Sequence, residues 1–265
     1  EGLHLVFTDH AILRRPRVLA DAPSVLPPNA NVKLISAWPG ESPSPAALGA
    51  AHVVLHETMG PQEQSLETGR ELLSAAVEAD PQGVCSHYWL GSALLALGHA
   101  PEARQALRRV LQEQPAWHQA RYRLGLAAEA AGERAAAIAH YQRLLADAPA
   151  WTEPALRLAQ LELSARNPAE AARVLRHVVQ KSPSATIYAS LALAERLAGA
   201  THEQALAIVN QALARDSREP AAYVTRGTLY LLAGNMALAR VDFERASALD
   251  PGNIAAQQAL RGVGR

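Results

Sequence analysis

The sequence is poor in cysteine, lysine and aromatic residues, and each shortage narrows the choice of protein class. Among 265 residues there is one cysteine, Cys85, so the chain forms no internal disulfide. Its 25 basic residues balance 25 acidic ones and include only two lysines, Lys33 and Lys181; without a basic stripe we expect no nucleic-acid binding. No apolar run approaches the ~20 residues that a membrane span needs. Aromatic residues make up 5% of the chain and hydrophobic residues 49%, which favours closely packed helices.

Motifs of catalytic chemistry are sparse. The sequence contains no glycine-rich phosphate loop and no Gly-x-Ser-x-Gly nucleophile elbow. Cys85 has His87 two residues away, but a single cysteine on a helix is more often a small buried side chain than a nucleophile. His52 and His56 lie four residues apart on a predicted helix, a spacing that suits a metal ion. Since the HExxH pattern is absent, a solvated or capping role is the alternative, and we predict a non-enzymatic protein.

A period of 34 residues runs through most of the chain. Prolines recur at this spacing or at twice it, with Ser217 in the one remaining slot: Pro81, Pro115, Pro149, Pro183 and Pro251. An alanine series and two looser glycine series keep the same period: Ala103, Ala137, Ala171, Ala205 and Ala239; Gly91, Gly125 and Gly227; Gly98, Gly132 and Gly234. Small residues let two helices cross closely, glycine lets a helix turn at its end, and proline stops the second helix. The period therefore predicts repeated helix-turn-helix units.

The best single copy of this pattern is the stretch 220–253. It carries the marker residues Tyr223, Gly227, Tyr230, Gly234, Ala239, Phe243, Ala246 and Pro251. The pattern resembles the tetratricopeptide repeat family, whose unit is a 34-residue helix-turn-helix. The resemblance implies an all-α fold, a right-handed superhelical solenoid of helix-turn-helix repeats with an extended N-terminal segment.

Three regions follow from this resemblance. Residues 1–44 form an extended, proline-rich N-terminal segment. The solenoid occupies 45–253, with a degenerate first repeat at about 50–83, in which Gly69 replaces the usual alanine, and full repeats from 84, 118, 152, 186 and 220. Residues 254–265 form a C-terminal capping helix, because a solenoid exposes an apolar face at its end. Arg166 and Ala200 replace the turn glycine in two repeats, so we expect differently shaped turns there.

The resemblance also implies a binding surface. In this family the first helices line a concave groove, chiefly through the second, fifth, ninth and twelfth positions of each repeat, and the groove binds peptides or partner domains. In the first three full repeats the candidate partner residues at these positions are Tyr88, Ser92, Leu95, Gln119, Tyr122, Glu129, Glu153 and Gln160. The groove is apolar and uncharged in its C-terminal half, where Ile187, Ser190, Ala194, Leu197, Ala221, Val224, Thr228 and Leu231 hold these positions. The alternative for each side chain is packing against neighbouring helices.

The stretch HLVFTDHAILRRP at 4–16 differs from the repeats, since its β-branched and aromatic residues predict extended chain. It resembles the segment that follows the last haem-attachment motif in bacterial multihaem c-type cytochromes with C-terminal tetratricopeptide repeats. The resemblance implies haem c as cofactor, with His10 as axial ligand of the haem iron, His4 nearby, and Arg14 and Arg15 at the haem propionates. The chain has no Cys-x-x-Cys-His motif, so the attachment cysteines would lie upstream or on another chain.

Two functions therefore remain open. In the first, the chain is the repeat module of an extracytoplasmic electron-transfer protein, periplasmic or extracellular, and it begins at Glu1 without an initiator methionine because a haem-bearing part precedes it. In the second, it is a general scaffold without haem that binds peptides or proteins and self-associates end to end. In this reading the strip at 4–16 packs on the first repeat and His10 is an ordinary polar residue.

Overall fold

The computed structural model describes residues 5–6, 17–18, 45–59 and 63–263. Leu5–Val6 (β1) and Arg17–Val18 (β2) pair antiparallel, with Leu5 opposite Val18 and Val6 opposite Arg17. The four residues assigned to haem, His4, His10, Arg14 and Arg15, lie outside the described residues. The chain divides into two compact units, Glu1–Ala137 (unit 1) and Ile138–Arg265 (unit 2).

Thirteen helices occupy the described part of the chain from Pro45 onward. In unit 1 these are α1 Pro45–Met59, α2 Glu63–Ala79, α3 Val84–Ala96, α4 Ala100–Glu113 and α5 His118–Ala130, and α6 Arg134–Asp147 begins there. Unit 2 contains the rest of α6 and α7 Thr152–Ser164, α8 Pro168–Val179, α9 Ala185–Leu197, α10 His202–Arg215, α11 Pro220–Leu232, α12 Met236–Leu249 and α13 Ile254–Val263. Within the units, successive helices pair as hairpins: α1 with α2, α3 with α4, α7 with α8, α9 with α10, and α11 with α12. The predicted fold class, all-α with helix-turn-helix repeats, is confirmed.

The turn inside each of the five full repeats contains one residue with positive φ. Gly98, Gly132 and Gly234 adopt φ values of 84°, 75° and 80°, a region that glycine enters without steric cost. Arg166 adopts the same conformation with φ 61°, so its turn keeps the common shape and the expectation of a different one is wrong. In the repeat predicted to start at 186, Gly199 provides the positive φ of 107°. The expectation that Ala200 replaces this glycine is also wrong, because α9 begins and ends one residue earlier than the period predicts.

Small residues stand where the two helices of a repeat cross. A Cβ atom on Gly91 would lie 2.7 Å from Cγ of Leu107, and one on Gly227 would lie 2.7 Å from Cε1 of Phe243. These distances are shorter than carbon atoms tolerate, so both positions need glycine. The crossing requirement explains why the small residues keep the repeat period.

The first repeat begins earlier than the predicted boundary at residue 50. Its crossing glycine is Gly49, whose added Cβ would lie 2.5 Å from Cγ of Leu73 and 3.0 Å from the carbonyl oxygen of Gly69. Gly49 and Gly69 are 20 residues apart, whereas Gly91 and Ala103 are 12 apart. The hairpin of α1 and α2 therefore contains eight extra residues, which lengthen both helices at the turn.

The cores of the two units differ in composition. In unit 1 large side chains dominate, among them Leu66, Leu73, Trp89, Leu107 and Val110. In the α9–α11 region of unit 2, alanines form most of the buried cluster: Ala185, Ala189, Ala192, Ala205, Ala212 and Ala222, with Val209 and Leu229. Small side chains let these helices approach closely, as the shortage of aromatic residues predicts.

Near the start of each of four helices, one side chain donates a hydrogen bond to the backbone carbonyl six residues earlier. We call these four contacts junction hydrogen bonds. The donor–acceptor pairs are His87 Nε2 to Pro81 (3.0 Å), Arg121 Nη2 to Pro115 (2.6 Å), Tyr223 Oη to Ser217 (2.9 Å) and Gln257 Nε2 to Pro251 (2.7 Å). Each carbonyl lies in the loop that joins one repeat to the next. Ser217 accepts this bond just as the prolines do, so the contact depends on the backbone oxygen at this slot.

Candidate functional site

Two of the predicted groove residues in unit 1 are buried. Tyr88 is 7% exposed and Ser92 is 1% exposed. The ring of Tyr88 stacks on Trp117, with centroids 4.6 Å apart, and meets the edge of Trp89 at 5.1 Å. The hydroxyl of Ser92 donates to the backbone carbonyl of Tyr88 at 2.8 Å. Both side chains therefore pack inside unit 1, and their assignment to an open partner groove is corrected.

Arg123 on α5 accounts for part of this burial. Its Nε donates to the hydroxyl of Tyr88 at 3.0 Å, and its Nη2 lies 2.7 Å from Oε1 of Glu57 on α1. Burial lowers the pKa of the Arg123 guanidinium, but Tyr88 and Glu57 together raise this pKa above its ordinary value. The contact ties the lengthened end of α1 to α5 and covers the face of α3 between them.

The other candidate groove residues of unit 1 are more accessible. Gln119 is exposed, and Leu95, Tyr122 and Glu129 are half-buried. In unit 2, Glu153 and Gln160 on α7 are both exposed. The polar candidates thus reach solvent.

The register of α9 changes the predicted groove in unit 2. Ile187 and Ala194 are 0% exposed, so they pack in the core and do not line the groove as predicted. Because α9 begins one residue early, Ala189 and Leu193 take the fifth and ninth positions of this repeat. On α11, Val224 and Thr228 are half-buried at the predicted positions.

Strongly exposed apolar side chains are concentrated in unit 2. Within the described residues, all seven large hydrophobic side chains that are strongly exposed lie in the stretch 197–254: Leu197, Leu231, Leu232, Met236, Leu238, Val241 and Ile254. Five of them stand at the ends of α9 and α11 and at the start of α12, and we call these five the apolar edge: Leu197 (48% exposed), Leu231 (39%), Leu232 (48%), Met236 (62%) and Leu238 (44%). A concentration of exposed apolar side chains is typical of a protein-binding surface.

The residues considered for metal or nucleophilic chemistry are spread apart. Nδ1 of His52 lies 2.7 Å from the hydroxyl of Ser65, and burial lowers the pKa of His52. His56 and Cys85 are half-buried, and burial raises the pKa of the Cys85 thiol, which disfavours the reactive thiolate. In the part of the chain that the structure describes, no three His, Cys, Asp or Glu side chains form a metal-binding group. None of the helices described is long and apolar enough to cross a membrane.

Comparison with known proteins agrees with the repeat geometry. Three models described as tetratricopeptide repeat match residues 62–129, 119–150 and 201–254, which together make up more than half of the chain. No curated protein matches the chain.

Solved structures share the fold at low sequence identity. A tetratricopeptide repeat protein from Parabacteroides merdae is 18% identical, with a TM-score of 0.62 over 86% of this chain and 87% of that one. The protein TTC0263 from Thermus thermophilus is 22% identical, with a TM-score of 0.56 over 68% and 98%. YrrB, a repeat protein described as having an unusual peptide-binding site, is 15% identical, with a TM-score of 0.51 over 71% and 97%.

The fold and its exposed surfaces define a helical repeat protein of the kind that serves as a protein-interaction scaffold. With the matching models, the chain belongs to the tetratricopeptide repeat family. This fold is generally non-catalytic. The multihaem cytochrome resemblance rests on residues outside the described part of the chain and receives no support from these comparisons.

Proposed function

We propose that the protein is a scaffold that binds an apolar segment of a partner protein along the apolar edge of unit 2. The observation that carries the proposal is the concentration of exposed leucine and methionine side chains at the ends of α9 and α11 and the start of α12, in two neighbouring repeats. Of the helices that present them, α11 packs against both α9 and α12 within unit 2. This packing holds the exposed apolar side chains in place, and their removal from water on binding a partner is favourable.

The composition of the edge indicates the class of ligand. Leu231 continues, at helical spacing, a half-buried strip of α11 that includes Val224 and Thr228. Methionine adapts its shape to varied apolar partners, so Met236 suits a surface that binds a flexible segment. An amphipathic helix or extended peptide with two or three large apolar residues fits this description. Peptide binding by YrrB, which has the same fold, supports this class of ligand.

Site-specific photo-crosslinking tests the proposal in the source cells. A benzophenone amino acid at position 231 samples the apolar edge, and the same group at position 245 samples an exposed arginine on α12 as a matched control. We expect a discrete crosslinked protein from position 231, absent from position 245 and lost when Leu232→Glu is added. Equal crosslinking from both positions, or none from 231, would overturn the proposal.

A crosslink from position 231 to a second copy of the chain would assign the edge to self-association instead. Measuring the mass of the purified chain at several concentrations separates this outcome from binding of another protein.

The electron-transfer hypothesis remains a separate proposal. It assigns haem c to His10, with His4, Arg14 and Arg15 around it, and an extracytoplasmic location. Its support is the resemblance of the stretch 4–16 to the cytochrome segment. It is compatible with the scaffold function, because repeats beside a haem would hold a redox partner.

A further inference from the structure

Unit 1 has a surface groove that the proposed function does not use. The end of α2, α3 and α4 enclose a volume of about 880 Å³. Three half-buried apolar side chains, Val77, Leu90 and Leu94, line it, and we call these three its apolar floor. The groove thus offers apolar surface that the described part of unit 1 leaves only partly covered.

The rim of the groove is basic. Arg104, Arg108 and Arg109 on α4 line it, and Glu102 is the only acidic residue among the described lining residues. Arg104 pairs with Glu133, and Nη1 of Arg109 lies 3.2 Å from Oε1 of Glu113.

Arg108 differs from its two neighbours. It is exposed and has no ion-pair partner among the described residues. Its guanidinium is free to bind a carboxylate from another molecule, while its aliphatic stem extends the apolar floor. A ligand that supplies both an apolar side chain and a carboxylate would satisfy both parts of the groove.

We propose that this groove binds an acidic amphipathic segment of a partner protein, as a second site independent of the apolar edge. Apolar side chains of the segment lie on Val77, Leu90 and Leu94, and one of its carboxylates binds Arg108. The unpaired guanidinium of Arg108 selects acidic segments against basic ones, since it would repel a lysine in the same place. The apolar floor distinguishes the groove from a phosphate-binding surface, which needs charge and hydrogen-bond donors throughout.

Fluorescence anisotropy with the intact chain tests the proposal. The probe is a labelled synthetic helical peptide with leucines at every third or fourth position and glutamates between them. We expect saturable binding that weakens with added salt, about fivefold or greater weakening for Arg108→Glu, and clear weakening when the leucines become serines. Arg245→Glu, an exposed arginine on α12 without an ion-pair partner among the described residues, is the matched control and should leave binding unchanged.

Three results would overturn the proposal. The first is equal binding of a peptide with lysines in place of glutamates. The second is unchanged affinity in Arg108→Glu while circular dichroism shows a folded chain. The third is tighter binding of a single-stranded DNA oligonucleotide than of the acidic peptide. Because Leu232→Glu alters only unit 2, it should leave this binding unchanged, and the two sites can fail separately.

Discussion

Replacing Arg166 by glycine should stabilise the protein. Arg166 lies just after the first helix of its repeat with φ 61°, where the other four full repeats use glycine, and its side chain is exposed. The backbone bonds around it are already those of a helix C-terminus: the Arg166 N–H donates to Leu163 at 3.0 Å and the Asn167 N–H donates to Glu162 at 2.9 Å. Glycine keeps both bonds and removes the repulsion between Cβ and the backbone.

The expected gain is the difference between two effects. A left-handed conformation costs a residue with a Cβ atom about 1–2 kcal/mol, and glycine removes this cost. Glycine also increases the conformational entropy of the unfolded chain, and this effect cancels about 0.5–1 kcal/mol of the stabilisation. The free energy of unfolding should therefore rise by about 0.5–1 kcal/mol, which raises the melting temperature by about 1–4 °C.

Two control variants separate the backbone from the side chain. Arg166→Ala keeps the Cβ atom and loses the charge, so its stability should stay close to that of the wild type. Ala165→Gly acts at the neighbouring residue, whose φ of −80° any residue adopts, and it should lose about 0.5–1 kcal/mol.

Urea unfolding followed by circular dichroism measures the stabilities, and amide exchange at Asn167 gives a local reading. If Arg166→Ala stabilises the chain as much as Arg166→Gly, backbone strain is not the cause and the reasoning is refuted.

Three further predictions follow from other positions. Gly227→Ala places a methyl group against Phe243 and should lower the free energy of unfolding, measured by urea denaturation, by about 1–3 kcal/mol. Adding Phe243→Leu should restore part of this stability. If it restores none, steric overlap is not the cause of the loss. Burial lowers the pKa of His52 below 6.5, so the unfolded chain binds a proton at this histidine more readily than the folded chain. The stability of the wild type should therefore fall relative to that of His52→Gln as the pH drops from about 6.5 through the folded pKa. A difference in urea midpoints that does not depend on pH would contradict this prediction. If the haem hypothesis is correct, the protein from its native source shows a six-coordinate haem c spectrum, and His10→Ala converts part of it from low-spin to high-spin. A featureless spectrum of full-length material rejects the hypothesis.

The 34-residue period could be recognised in the sequence because the packing of the helices imposes it. The helix crossing favours a small residue and the turn favours a residue with positive φ, so Gly91, Gly98, Gly227 and Gly234 recur at the repeat period. Register within one repeat was less predictable. Alanines occupy several neighbouring positions of α9, so the sequence alone does not show that Ala192 rather than a later residue faces α10.

The surfaces were harder to predict than the fold. Tyr88 stands at a groove position of its repeat, but eight additional residues in the first hairpin bring Glu57 to Arg123 and help to bury it. A fixed period does not reveal such an insertion. Leu231 was among the predicted groove residues, whereas the exposure of Met236 and Leu238 depends on which elements pack nearby. The basic groove combines residues of three helices, and no single sequence motif contains them.

The junction hydrogen bonds bear on how such a chain can evolve. Their acceptor is a main-chain oxygen that every amino acid supplies, and four different donor side chains serve: histidine, arginine, tyrosine and glutamine. Neighbouring repeats therefore need no matched pair of side chains at this contact. A repeat can be duplicated, deleted or exchanged with another without a compensating mutation there, so the array can change its length while its surfaces diverge.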